Sequence, residues 1–455
     1  MFQDSVDPAM LRHHGDVEAR PGMLDFAVNV RGSAPPAWLR DRLSARLDDL
    51  GRYPSSEDEA AARAAVAARH GRAPDEVLLL AGAAEGFAML PRLAPRLAAV
   101  IHPSFTEPEL ALREAGVPVT RVILEQPYTL DPALVPEDAD LVVLGNPTNP
   151  TSILHPAATI QALRRPGRLV VVDEAFADAV VPDPAEPTSH AGPAPHAGPA
   201  PHAGPAPHAG PQPHAGPQPH AGPQPHAGRQ PHAGPAAHAE PALHIALASH
   251  AESASHAGPA AHVEPALHAA LASRAGPAAH EPAADTDRGL HAEPESLAAL
   301  SAPDVIVLRS LTKTWALAGL RCGYALGAPE VLARLTHGRP HWPLGTLQLE
   351  AIIATAAPSA VAESQRDAFQ IASERAAMIG RLTALGIDVH TPAAGPFLLL
   401  RVPDGALVRK RLADRGIAVR RADTFPGLGP DYLRVAVRGP AEVDRLIEGL
   451  RAVLW

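Results

Sequence analysis

VIVLRSLTKTWALAGLRCGY, residues 305–324, is the stretch on which the fold turns. Val305 to Leu308 is a short β run of branched apolar residues. It ends at Ser310-Leu311-Thr312-Lys313, where apolar residues give way to two hydroxyls and an amine, and Arg321 follows. The lysine stands out by count. Lys and Arg together number 39, and only Lys313 and Lys410 are lysine. A GC-rich coding bias with two leftovers accounts for that count as plainly as a functional lysine does.

Working outward, the same punctuation recurs. Val77 to Leu80 reads as a buried strand running into Ala81-Gly82-Ala83-Ala84-Glu85-Gly86 and then a helix. Leu141 to Leu144 is a strand stopped by Gly145-Asn146-Pro147, and Leu169 to Val172 is one ending at Asp173-Glu174. Glu57 to His70 is an Ala-rich amphipathic helix, with Gly71 as its C-cap. Short β runs separated by helical segments indicate an α/β chain with a mostly parallel sheet. Beyond Gln348 the pattern changes: a long helix near Val361–Leu385, strand Phe397–Val402, helix Ala406–Arg415, strands Ile417–Arg420 and Tyr432–Val437, and a last helix from Ala441. That is expected to be a smaller α+β domain. The expected organisation is an N-terminal segment at 1–50, a large domain at 51–181 and 295–345, and a small domain at 346–455.

Residues 182–294 belong to neither pattern. The whole chain has 455 residues, 52 of them Pro and 24 His, with 4% aromatics. From His190 to His268 a histidine recurs every sixth residue, 14 in succession, in a repeat H-A-G-P-x-P that decays later. Large apolar residues are scarce there, so the segment cannot bury enough surface to offset chain entropy. Glycine is not at every third position, which excludes collagen. The expectation is a low-complexity, disordered insertion of 113 residues, Pro-dense and extended at first, leaving 342 for the α/β remainder. Imidazoles are common metal ligands. In an extended chain, however, neighbouring histidines stand roughly 19 Å apart at about 3.1 Å per residue, and one ion would need the chain to loop. Slippage-expanded repeat DNA tolerated in a loop is the plainer account.

The net charge of −10 argues against a general nucleic-acid binder. One cysteine, Cys322, excludes an intramolecular disulfide framework and a multi-cysteine metal site. The start lacks a basic-then-apolar signal pattern, and no apolar run reaches 18 residues. The expectation is a cytoplasmic protein with neither membrane nor nucleic-acid partners and no metal.

The polar residues gather at the carboxyl ends of the strands, where open α/β sheets bind ligands. Backbone N–H groups at a strand-to-helix turn suit a phosphate. A lysine near such a site, with a carboxylate on another strand, suits an aldehyde cofactor: the amine forms a Schiff base, and the carboxylate keeps a ring nitrogen protonated. Each element alone is weak, since an aspartate after a strand is commonly a helix cap.

Their order and wording are more specific. From about Asp25 to the C-terminus, skipping the repeat, the chain resembles fold-type-I pyridoxal-phosphate enzymes of the class I/II aminotransferase family. In wording it is most similar to histidinol-phosphate aminotransferases and to the threonine-phosphate decarboxylases of cobalamin synthesis. The stretch at 310–324 matches the family's lysine motif, which implies Lys313 as the Schiff-base lysine and Ser310, Thr312 and Arg321 as contacts to the phosphate of pyridoxal 5'-phosphate. Val-Val-Val-Asp173-Glu-Ala-Phe176 implies Asp173 as the partner of the pyridine nitrogen. Asn146-Pro-Thr-Asn149-Pro-Thr-Ser152 resembles the family's N-P-T-G loop and implies Asn149 on the ring's 3-oxygen, with Ser152 a departure from Gly. Gly82-Ala-Ala-Glu-Gly86 implies backbone donation from Ala83 and Ala84, Pro103-Ser-Phe105 implies Phe105 stacked on the ring, and Arg52-Tyr53-Pro54 implies that Tyr53 reaches the partner subunit's cofactor phosphate in a homodimer with shared sites.

Toward the substrate, the resemblance implies Arg434 on an acidic group, Asn29 as a further contact and Arg420 on a substrate phosphate. Arg420 and Arg421 are adjacent, and strand alternation turns only one of them into the site. A surface cation or a capping amide is the alternative reading of each. The reaction follows from which substrate bond stands perpendicular to the cofactor ring: the Cα–H for transamination, with Lys313 shuttling the proton, or the carboxylate for decarboxylation. Phe176 is found more often in the decarboxylases; the family at large is mostly aminotransferases. The expected function is a class I/II aminotransferase-family enzyme of the cobalamin-associated branch acting on a small phosphorylated amino acid or amine, with L-threonine-O-3-phosphate decarboxylase as the alternative. Two other readings carry less: a His-rich metal-binding scaffold with a vestigial enzyme core, and a regulator with a DNA-binding domain ahead of enzyme-like sequence that here starts by Asp25.

Overall fold

The helix expected from Glu57 shows how closely local chemistry sets the elements. It runs Ser56–His70 in the computed structural model, which describes residues 8–13, 15–182 and 293–455. Ser55 caps it by accepting from Asp58 N at 3.0 Å, and Gly71 ends it in the left-handed region at φ 64°. The insertion expected at 182–294 lies, except at its two ends, outside the described residues.

In chain order the strands are β1 (Leu24–Asp25), β2 (Val77–Leu80), β3 (Ala98–His102), β4 (Val119–Ile123), β5 (Leu141–Gly145), β6 (Leu169–Asp173), β7 (Val305–Ser310), β8 (Gly323–Leu326), β9 (Asp388–Val389), β10 (Phe397–Arg401), β11 (Ile417–Ala418), β12 (Arg420–Arg421) and β13 (Tyr432–Ala436). Seven form one sheet in the order β2-β8-β7-β6-β5-β3-β4. Within it β8 runs antiparallel to both neighbours, and the remaining pairings are parallel. Strands covered on both faces read as continuous apolar runs, and Val77–Leu80 and Leu141–Leu144 are buried at every position. The expected mostly parallel α/β sheet is present. Its register brings Gly145 beside Asp173 and Asp173 beside Leu308, so the residues that follow β5, β6 and β7 emerge at one edge.

A second sheet, β12-β13-β10-β9, has Leu399 opposite Arg434 and Arg420 opposite Arg434. Helices Gly405–Asp414 and Pro440–Leu454 pack on it, with Phe26, Leu400, Leu433, Leu446 and Leu450 in its core. The long helix expected near Val361–Leu385 runs Pro358–Ala384. Ahead of it a separate helix, Thr346–Ala356, packs Leu349, Ala351 and Ile352 into the core of the seven-stranded sheet beside Ala62 and Val66.

One expected strand divides. Ile417–Arg420 reads as a single run, yet β11 pairs parallel with β1, while β12 pairs antiparallel with β13. Buried Val419 lies between them. The chain switches partners because the N-terminal segment docks here: Leu24 N donates to Gly416 O at 2.7 Å, and Phe26 N to Ala418 O at 2.8 Å.

Candidate active site

A cavity of about 470 Å³ opens where β6 and β7 end, and residues from both sheets line it. β7 delivers Ser310, and the turn after it delivers Thr312 and Lys313. Ser310 Oγ and Thr312 Oγ1 lie 2.8 Å apart. Gly82, at φ 82°, begins the turn into helix Ala83–Met89, and Ala83 and Ala84 line the cavity. The Arg321 guanidinium presses on that turn: a Cβ added at Gly82 would meet Arg321 Nη2 at 3.1 Å. Hydroxyls, a guanidinium and a helix N-terminus thus meet at one end of the cavity.

Asp173 closes β6 beside them. Its Oδ1 accepts from Ala175 N at 3.1 Å. Burial pushes its carboxyl up to about 6, against the Ala175 N–H and the Lys313 charge, which favour the ionised form. Phe105 lines the cavity, its ring 5.9 Å from Phe87. Asn149 lines it from the loop after β5. In that loop Ser152, where the family pattern has Gly, takes φ 65°, and its hydroxyl accepts from Gly395 N at 2.8 Å. The turn is kept, and the departure adds a tie to the segment leading into β10.

The second sheet contributes cations to the cavity. Arg434 is 5% exposed; its Nη1 donates to Asn149 Oδ1 at 2.9 Å, and its Nη2 donates to Ala27 O. Burial, with the Arg420 charge adding to it, lowers its guanidinium to about 9. Arg420 lines the cavity and is 3% exposed; its Nη2 donates to His13 O at 2.6 Å and Thr424 Oγ1 at 2.8 Å. Arg421 turns away and pairs with Asp423 at 2.5 Å. Asn29 lines the cavity with both amide atoms buried and, among the described residues, without a hydrogen-bond partner.

Tyr53 stands outside. It is 75% exposed and stacks on Trp342, ring centroids 4.4 Å apart. Sequence reasoning gave no role to His13, Gly15 and Glu107, which line the cavity from the N-terminal segment and from the turn after Phe105. The segment around Leu11 is brought there by Thr106 Oγ1, which donates to Leu11 O at 2.6 Å. Lys410 is exposed on helix Gly405–Asp414, far in character from Lys313. A larger cavity, about 690 Å³, lies at the opposite edge of the sheet, but its cations are engaged: Arg164 pairs with Asp304 at 2.7 Å, and Arg168 donates to main-chain carbonyls. Among the described residues no cluster of His, Cys, Asp and Glu suits a metal ion.

The donor set fits pyridoxal phosphate. An anion cradle, an amine, a buried carboxyl and an aromatic wall answer in turn a phosphate, an aldehyde, a basic ring nitrogen and a ring face. An aldehyde cofactor with those four features calls on all of them, and on this sheet edge the class is the fold-type-I pyridoxal-phosphate enzymes.

The relatives agree. A family model for aminotransferase class I and II matches residues 21–202 and 261–450. The chain belongs to that family and is a pyridoxal-phosphate-dependent aminotransferase by membership. It is 43% identical over 435 residues to a histidinol-phosphate aminotransferase of Mycobacterium tuberculosis, covering 96% of this chain and 89% of that one. Over 150 residues, 33% of this chain and 42% of the relative, it is 31% identical to the histidinol-phosphate aminotransferase of Aeromonas hydrophila. Its fold matches the histidinol-phosphate aminotransferase of Clostridium acetobutylicum at TM-score 0.64 and 17% identity, covering 95% and 99% of the two chains. It matches the L-threonine-O-3-phosphate decarboxylase of Porphyromonas gingivalis at TM-score 0.61 and 17% identity, covering 94% and 98%. At those identities the likeness is one of fold.

Proposed function

We propose that this aminotransferase acts on a small phosphorylated amine or amino acid, and that histidinol phosphate is the first substrate to test. The observation that carries the reading is the pair of buried arginines, Arg434 and Arg420, which the second sheet contributes to the cavity, whereas Ser310, Thr312 and Arg321 come from the end of β7 and the segment after it. The cofactor phosphate has its own cradle, so two further buried cations suit a second, strongly anionic ligand. The 43% identical relative named as a histidinol-phosphate aminotransferase supports the same substrate.

Bound pyridoxal phosphate supplies an electron sink for charge left at the substrate Cα. The protein's own groups do the rest. Ser310, Thr312, Arg321 and the Ala83 and Ala84 N–H groups hold the phosphate. As a carboxylate, Asp173 would hold a proton on the ring nitrogen, because a buried negative charge beside it favours the protonated ring. Asn149 donates to the ring oxygen, and Phe105 walls the ring. Lys313 would hold the aldehyde, and its amine, when free, would carry the proton from the substrate Cα. Arg434 and Asn29 orient the substrate's acidic end, and Arg420 meets its phosphate. Tyr53, exposed and braced by Trp342, reaches into the neighbouring site of a homodimer. The cytoplasm remains the proposed compartment, in keeping with a single, buried, free thiol at Cys322.

Phe176 favours a second reading. It lines the cavity after Asp173-Glu174-Ala175 and packs edge-on against Phe397, ring centroids 4.9 Å apart. By resemblance, the cobalamin-pathway decarboxylases often carry phenylalanine there, where histidinol-phosphate aminotransferases usually carry tyrosine, and that favours L-threonine-O-3-phosphate decarboxylation. One experiment separates the two. Holoenzyme mixed with histidinol phosphate converts its bound cofactor stoichiometrically to the amine form under the first reading. Release of carbon dioxide from O-phosphothreonine, without that conversion, replaces the first reading with the second.

A further inference from the structure

Directly beneath the cavity lies a buried group of charges with no assigned role. Arg309, the residue before Ser310, is 2% exposed. Its Nη1 donates to Glu174 Oε2 at 3.2 Å and to Glu293 Oε2 at 2.6 Å. Its Nη2 donates to Glu293 Oε1 at 2.9 Å and to Asp178 Oδ1. Arg69, from helix Ser56–His70, supplies a second cation, donating to Asp178 Oδ1 at 2.6 Å and Glu293 Oε1 at 2.9 Å. Glu174 accepts further bonds from Ser296 Oγ at 2.6 Å and Leu297 N at 2.7 Å.

The placement of these carboxylates matters more than their number. Glu174 and Asp178 lie on the turn that follows Asp173. Arg309 and Thr314 bracket Ser310, Thr312 and Lys313. The main-chain tie between these two turns is Glu174 N donating to Leu308 O at 2.9 Å, at the base. Above it the connection passes to side chains: Arg309 reaches Glu174 and Asp178 at once, and Thr314 Oγ1 faces Asp178 Oδ2 at 3.4 Å. Burial alone would raise the Asp178 carboxyl, yet the Arg69 and Arg309 guanidiniums hold it below its usual value. The pairing is that of ions held in place.

We propose that Arg309 is a positioning residue: through Glu174 and Asp178 it sets the turn carrying Asp173 against the turn carrying Lys313, so that both address one cofactor. This rests on the reading of Lys313 and Asp173 given above. A planar fork with five donors spans three carboxylates on two segments, 174–178 and the one beginning at Glu293; an ammonium on a flexible stem is a point charge and does not. Charge at position 309 is therefore insufficient, and its geometry is what the site uses.

The test compares wild type with Arg309→Lys and Thr314→Val, each loaded with pyridoxal phosphate. Four things are read: borohydride trapping on Lys313, the pH midpoint of the bound cofactor's visible absorbance, kcat against KM, and Tm. Arg309→Lys is expected to trap at Lys313 while kcat falls roughly tenfold or more with KM little changed, as a misplacement of reacting groups dictates. The absorbance midpoint is expected to move by about half a pH unit or more, which a merely structural residue would not cause. Thr314→Val disturbs no charge and is expected to move the midpoint in the same direction by less. Wild-type kcat and midpoint in Arg309→Lys, whatever its Tm, overturn the proposal. If Arg309→Lys does not fold, an unmoved midpoint in Thr314→Val overturns it instead. Wild-type protein trapped elsewhere than Lys313 removes the underlying reading, and that result is distinct from both.

Discussion

Arg434 Nη1 donates to Asn149 Oδ1 at 2.9 Å, joining the second sheet to the loop after β5 across 285 residues of sequence. The two side chains that the resemblance assigns separately, one to the substrate and one to the cofactor ring, share a hydrogen bond. Removing Asn149 leaves a buried guanidinium short of an acceptor, a change worth about 1–3 kcal/mol. Asn149→Ala is expected to weaken cofactor binding and also raise KM for the substrate. Arg434→Lys is expected to raise KM about tenfold or more while cofactor binding holds. Cofactor titration and steady-state kinetics on the two variants check this; identical profiles would contradict the coupling.

Lys313 and Lys410 make a paired control. Purified protein is expected to absorb near about 420 nm with cofactor bound. Lys313→Ala is expected to lose the borohydride-trapped adduct, and Lys410→Ala to keep it, because Lys410 sits exposed on helix Gly405–Asp414. Peptide mapping of the trapped adduct decides it, and a label on Lys410 would refute the lysine assignment.

Asp173 carries a pH signature in the cofactor-free protein. Burial pushes its carboxyl up to about 6, whereas an unfolded aspartate titrates near about 3.9. A raised acid binds its proton more tightly when folded. Its stabilising contribution is therefore full below about 4 and lost as pH rises through about 6, a loss of no more than about 3 kcal/mol. Glu174, pushed up to about 7 chiefly by burial, acts in the same direction. Apo-protein is expected to gain Tm between pH 7.5 and pH 5 from these groups, and Asp173→Asn to flatten that slope. Thermal unfolding at the two values measures it, and an unchanged slope in the variant counts against the assignment.

Gly82 is expected not to tolerate a side chain. At φ 82°, with Arg321 Nη2 lying 3.1 Å from where a Cβ would stand, alanine is strained and pushes the guanidinium off the turn. Gly82→Ala is expected to weaken cofactor affinity by about tenfold, roughly 1.4 kcal/mol. A phosphate-free pyridoxal, lacking the group that Arg321 would hold, is expected to bind both proteins alike.

Glu293, expected within the insertion, pairs instead with the fold on its far side. Asp178 and Glu293 flank it, and both accept from Arg69 and Arg309. Replacing 183–292 by a short linker is expected to leave cofactor binding intact. Extending the deletion to take Glu293 leaves two buried guanidiniums with Asp178 and Glu174 alone, and breaking such a group costs about 3 kcal/mol or more. Soluble expression and Tm of the two deletions check this, and equal behaviour would show that Glu293 contributes nothing.

What was legible in the sequence follows the range of the forces that write it. Helix Ser56–His70 and its Gly71 cap depend on neighbours within a turn, so both read directly. The buried runs Val77–Leu80 and Leu141–Leu144 read as strands because parallel strands are apolar on both faces. The motifs around Lys313, Asp173 and Asn149 are local strings, and their resemblance marks the cofactor class. β3, β4 and β8 were harder: Ala-rich Ala98–His102 and the four residues of β8 carry too little pattern to announce a strand. Arg309 left one signal, a charge inside an otherwise apolar run, with no hint of which carboxylates it meets.

By itself, then, the sequence determined the long helices, the apolar strands of a mostly parallel sheet and the cofactor class, and offered a shortlist of residues, because those rest on periodicity and on contiguous motifs. Tertiary structure alone decided that Ile417–Arg420 divides between two sheets, that Arg420 and not Arg421 faces the cavity, that Tyr53 stays outside it in one chain, and that Arg434 meets Asn149. Those outcomes depend on which surfaces pack together after the chain collapses, and a hydrogen bond between residues 285 apart leaves no periodicity for a sequence to show.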